Sequence, residues 1–61
     1  MSELSGPQIV AFKAQAVAWE QIACKSLNPS IAANFRYMAD QLFNLVGVSE
    51  RERERLLLDV Y

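Results

Sequence analysis

An all-α protein, with two long helices in an antiparallel hairpin and a short third helix after them, is the fold class this sequence predicts. Three observations carry that expectation. Helix-start and helix-stop signals divide the chain at two places. Apolar residues recur at spacings of three and four. No run alternates with the period of two that a half-buried strand requires. The 61 residues form one domain, 1–61, without repeats or a linker. A chain this short buries only about 60% of its unfolded surface, and disulfides, a metal or association usually supply what is missing. One cysteine permits no internal disulfide. With no histidine and no cluster at metal-ligand spacing, no structural metal is expected. Association remains, and an apolar content of 52% fits it, so the hairpin is expected to assemble as a homo-oligomeric helical bundle, a homodimer or higher.

The first helix, α1, is expected over about 6–27. "LSGPQI" opens it: Ser5 as N-cap and Gln8 at N3 form a capping box, and Leu4 with Ile9 form a hydrophobic staple. Pro7 lies in the first turn, where its missing N–H is not needed. The stretch "IVAFKAQAVAWEQIAC" is apolar around most of its circumference, more than a helix with one buried stripe requires. One face holds Ile9, Phe12, Ala16, Trp19, Ala23 and Leu27, and is assigned to the core against the second helix. A second strip holds Val10, Val17 and Cys24, spaced by seven, with Lys13 and Glu20, also spaced by seven, between the two faces.

Asn28 as N-cap and Pro29 at N1 open the second helix, α2, expected over about 29–46. Gly47 follows at C′, and Phe43 with Val48 form the apolar pair of a Schellman ending. Ile31, Phe35, Met38, Leu42 and Leu45 lie on one face, with Ala39 and Val46 at its edge. Arg36, Tyr37, Asp40, Gln41 and Asn44 lie on the other. The third helix, α3, is expected over about 50–60, with Ser49 as N-cap and Glu52 at N3 in another capping box. Its first half is charged and its second half apolar. The connections span two to three residues, so consecutive helices pack as neighbours.

Two sets of residues are candidate sites. Val10, Lys13, Val17, Glu20 and Cys24 form a self-association interface that α3 is too short to cover completely. In its most specific form, α1 pairs antiparallel with its own copy about a two-fold axis between Ala16 and Val17, which sets Lys13 against Glu20 of the other copy. Arg36, Tyr37, Asp40, Gln41 and Asn44 form a polar face that could dock a partner, or an ordinary surface carrying an Arg36–Asp40 pair. Trp19 is read as a core anchor. Cys24 is read as a small buried hydrophobe, because no cation, metal or helix N-terminus activates it. The charges of "SERERERLLL" are read as a solvated face with Glu50–Arg53 and Glu52–Arg55 pairs.

Function is constrained mainly by exclusion. The net charge is −1 and the signs balance locally, with Glu3, Glu20 and Asp40 against Lys13, Lys25 and Arg36 before residue 50. Nucleic acid is therefore not expected as the main partner. There is no nucleophile with a base, no phosphate loop and no paired carboxylates on one face, so neither enzymatic chemistry nor a cofactor is expected. The beginning of the sequence lacks the pattern of a signal peptide, α1 is too short and interrupted to span a bilayer, and a lone cysteine fits a reducing compartment. These features predict a cytoplasmic, non-enzymatic protein, with no membrane partner, that self-associates and binds a larger protein as regulator, inhibitor or adaptor. Two alternatives stand beside it. "LVGVSERERERL" resembles the turn of a helix-turn-helix, which implies a DNA-binding regulator. Where subunits meet, a pocket could hold a small ligand.

Overall fold

The computed structural model describes residues 4–61; Glu3 lies outside them. They form α1 (Gly6–Lys25), α2 (Pro29–Val46) and α3 (Glu50–Leu56) in that order, with no strand among the described residues. The first two helices pack along each other as a hairpin.

The helix ends follow local chemistry. Ser5 Oγ accepts from Gln8 N at 3.3 Å, and Gln8 Oε1 accepts from Ser5 N at 2.9 Å, the reciprocal capping box. Asn28 Oδ1 accepts from the N–H groups of Ser30 (2.9 Å) and Ile31 (3.3 Å). Gly47 takes the left-handed conformation (φ 73°), which costs glycine nothing. There the N–H of Val48 reaches Phe43 O (3.0 Å) and that of Gly47 reaches Asn44 O (3.2 Å), completing a Schellman motif.

Two boundaries differ from expectation. The first helix stops at Lys25, not Leu27, and Leu27 is fully exposed instead of being in the core. Proline at 29 forces Asn28 into extended backbone (φ −94°, ψ 114°), so the chain must leave the helix before it. Ser26 (φ −75°, ψ 132°) makes that exit, its Oγ accepting from Asn28 N at 3.3 Å. The third helix ends at Leu56. Beyond it the chain continues as tight turns, with Val60 N bonded to Leu57 O (3.0 Å) and Tyr61 N to the same oxygen (3.2 Å).

Small residues form the centre of the hairpin. Ala16 and Ala39 are fully buried and share one cluster with Phe43, while Ala23 and Ala32, each seven residues nearer the turn, are 1% and 5% exposed. Alanines in register let two backbones approach toward the short end of the usual 8–10 Å spacing. This rotates α2 from its expected orientation. Ile31 and Leu45, on the apolar face that periodicity gives α2, are 46% and 59% exposed, and the line Ala32–Ala39–Phe43 is buried instead. Phe43 is the one large side chain fully buried among the described residues.

Candidate functional site

The alanine seam divides the hairpin into two faces of opposite character. At 100° per residue, Lys13, Val17, Glu20 and Cys24 of α1 fall to one side of Ala16, and Arg36, Asp40 and Phe43 of α2 fall to the same side of Ala39. This side is covered by α3 and the turns after it.

Polar groups hold that cover. Lys13 Nζ pairs with Glu52 Oε2 at 2.6 Å. Asp40 pairs with Arg53, whose guanidinium also lies 5.2 Å from the centroid of the Phe43 ring, a cation–π arrangement. The Tyr61 hydroxyl donates to Glu20, which is only 3% exposed, and accepts from Arg36 Nε at 3.3 Å. The thiol of Cys24 donates to Val60 O at 3.6 Å. Leu56 and Leu57 pack with Val17 and Val48 against the Ala16–Ala39–Phe43 cluster. Desolvation raises the Tyr61 hydroxyl above the ordinary tyrosine pKa, and the bond to Glu20 adds to the rise, while Arg36 opposes it. Tyr61 as a residue is 64% exposed, while its hydroxyl reaches the buried Glu20.

Four of the five residues assigned to the self-association strip are thus engaged inside one chain. Lys13 and Glu20 have partners on the C-terminal segment, Val17 packs under α3, and Cys24 meets Val60, although its own side chain is exposed and not a buried hydrophobe. Val10 remains 68% exposed beside the groove that Lys13, Ala14, Val17, Ala18, Gln21 and Leu56 line. The polar face divides as well. Arg36 and Asp40 bond to the C-terminal segment, so the expected Arg36–Asp40 pair gives way to Arg36–Tyr61 and Asp40–Arg53. Tyr37 (65% exposed), Gln41 and Asn44 face outward. The pairs expected within α3 also give way: Glu52 and Arg53 reach across to the hairpin, and the Ser49 cap keeps only its Glu52 N–H to Ser49 Oγ half (3.2 Å).

The other side of the seam carries Phe12, Trp19 and Ile22 from α1, and Ile31, Phe35, Met38, Leu42 and Leu45 from α2. Trp19 and Phe35 meet edge to face, ring centroids 6.0 Å apart. Trp19 is half-buried, less enclosed than a core anchor, and Ile22, Ile31 and Leu45 are 46%, 46% and 59% exposed. Sequence reasoning missed this face because it placed the largest side chains at the helix contact. The signal that finds it is the seven-residue spacing of Ala16–Ala23 and Ala32–Ala39.

No group of three or more Cys, Asp or Glu that could hold a metal ion converges among the described residues, and no helix there is long and apolar enough to cross a membrane. Comparison with protein-family models, with curated proteins and with solved structures gives no match.

Proposed function

We propose that this chain is a non-enzymatic helical binding protein that self-associates and acts by docking on a larger protein, as a regulator, inhibitor or adaptor. One observation carries the reading: the apolar face of the hairpin opposite α3 exposes Ile22, Ile31 and Leu45 around the Trp19–Phe35 pair. Contiguous apolar surface of this kind marks a contact with another macromolecule. Tyr37, Gln41 and Asn44 supply a polar surface not engaged by the C-terminal segment, and they are the residues assigned here to the larger partner. A free thiol at Cys24 supports a reducing, cytoplasmic setting.

The docking half of the proposal is tested by affinity purification of the tagged chain from its host, beside a Tyr37→Ala variant. Expected is a stoichiometric protein partner recovered with the wild type and depleted with the variant, both chains giving the same far-UV circular dichroism. A wild-type eluate without a stoichiometric partner overturns docking. Equal recovery by the variant removes Tyr37 from the site.

A further inference from the structure

We infer that the apolar face opposite α3 is covered by a second copy of this chain, two hairpins closing face to face about a two-fold axis into an antiparallel four-helix core. The inference rests on the self-association reading above and names its surface, which differs from the strip expected from sequence.

Charge is the first argument. The first two helices carry five charged side chains, Lys13, Glu20, Lys25, Arg36 and Asp40. Four of them turn toward the C-terminal segment, and Lys25 stands at the end of α1, directly away from the seam. The face of Trp19, Ile22, Ile31, Phe35, Met38 and Leu45 therefore carries no charge. It gives a foreign partner nothing to select by electrostatics. A copy related by a two-fold axis presents the same uncharged surface, in which Gln15 is polar, so no like-charge contact opposes the pairing.

Size is the second. Helices of 20 and 18 residues at 1.5 Å per residue, each about 10 Å wide, offer a footprint of about 600 Å². That approaches the roughly 800 Å² per partner of a standard stable interface. Need is the third. Among the described residues the buried hydrophobic core is four alanines and Phe43, too little for a 61-residue chain that lacks an internal disulfide. Joining two such faces encloses the Trp19–Phe35 pair and supplies the large-side-chain core that the hairpin lacks.

Sedimentation equilibrium of the full chain tests this, using the wild type, Leu45→Glu, the milder Leu45→Gln and, on the opposite side, Val10→Glu. Leu45 and Val10 are both exposed, so neither substitution disturbs the interior of the hairpin. Expected are a wild-type dimer, weakening of at least about tenfold by Leu45→Glu with a smaller effect of Leu45→Gln, and less than about twofold change from Val10→Glu. Trp19 emission in the unmodified chain should shift to the blue across the same concentration range, which reads this face without any substitution. A chain that stays monomeric at every concentration overturns both the inference and the self-association half of the proposed function, and leaves docking on a larger protein standing. A dimer broken by Val10→Glu and not by either Leu45 variant overturns the inference alone. So does a dimer whose formation leaves Trp19 emission unchanged, or a particle larger than a dimer.

Discussion

The two sides of the hairpin use the same helices to opposite ends. The side under α3 is closed by polar contacts laid over a thin apolar layer: Lys13–Glu52, Asp40–Arg53 and the Glu20–Tyr61–Arg36 chain surround Val17, Phe43, Leu56 and Leu57. The opposite side has no such frame and no charged side chain, only Gln15 among the apolar residues from Trp19 to Leu45. The difference shows how a small chain separates specificity from driving force. Exposed or half-exposed ion pairs each contribute about 0–1 kcal/mol, so the closed side is weakly held but uniquely placed. The open side has apolar area that yields its free energy only when something covers it.

The largest expected effect breaks the closed side. Phe43→Ala removes the one large side chain fully buried among the described residues and the surface on which Arg53 lies, and should cost about 3–5 kcal/mol in thermal or urea denaturation. That is comparable to the whole stability of a small domain. Truncation on the open side sharpens the contrast: Leu45→Ala, at 59% exposure, should cost under about 1 kcal/mol in the dilute chain. Equal costs at the two positions would mean that the faces are not distinct.

A smaller effect tests the seam between them. Ala39 is fully buried and shares a cluster with Ala16. Ala39→Leu adds volume where the helices are closest and should cost about 1–3 kcal/mol, through displaced backbone or strained rotamers. Ala33→Leu, on the exposed side of the same helix, should change stability by less than about 0.5 kcal/mol. A neutral Ala39→Leu would show that the helices stand further apart than alanine packing requires.

The elements and their ends were legible in the sequence because each is set by a residue acting on its neighbours. Ser5, Asn28 and Ser49 accept from N–H groups two or three residues on, and Gly47 supplies the positive φ that ends α2. Orientation was less legible, because periodicity fixes the direction of an apolar stripe only to within a residue or so. The bulk of Ile31, Phe35, Met38, Leu42 and Leu45 outweighed the alanines, although the close approach of two helices favours small side chains at the contact. The charges of α3 were misread for a related reason. Glu52 and Arg53 have available partners at i±3, but a partner 39 or 13 residues away in sequence is invisible to local spacing. The engagement of Lys13 and Glu20 within the chain became visible only with Glu52 and Tyr61 in place, 39 and 41 residues away in sequence.

The smallest effect reads the closed side through its outermost contact. Burial and the bond to Glu20 hold the Tyr61 hydroxyl above the ordinary tyrosine value near 10, with Arg36 pulling the other way. A proton held more tightly in the folded state contributes stability where both states carry it, and that contribution is lost as the unfolded chain gives the proton up, so the sign follows from proton counts. Below pH about 10 both states keep the proton and the contact contributes in full. As pH rises through about 10, the unfolded chain loses its proton first, binds fewer protons than the folded state, and stability falls. The decline ends above the folded-state value, where a phenolate would stand against the Glu20 carboxylate. The wild-type profile alone does not isolate Tyr61. Tyr61→Phe does, because it keeps the ring and removes only the hydroxyl. At neutral pH this substitution should cost about 1 kcal/mol, the middle of the range for an ordinary hydrogen bond and below that for a charged acceptor, since Tyr61 is largely exposed. The difference between wild type and Tyr61→Phe in denaturation midpoint should then shrink as pH rises from 9 to 11, on the order of the tyrosine range. A difference that stays constant over that interval would place the Tyr61 hydroxyl in solvent and leave Glu20 buried without it.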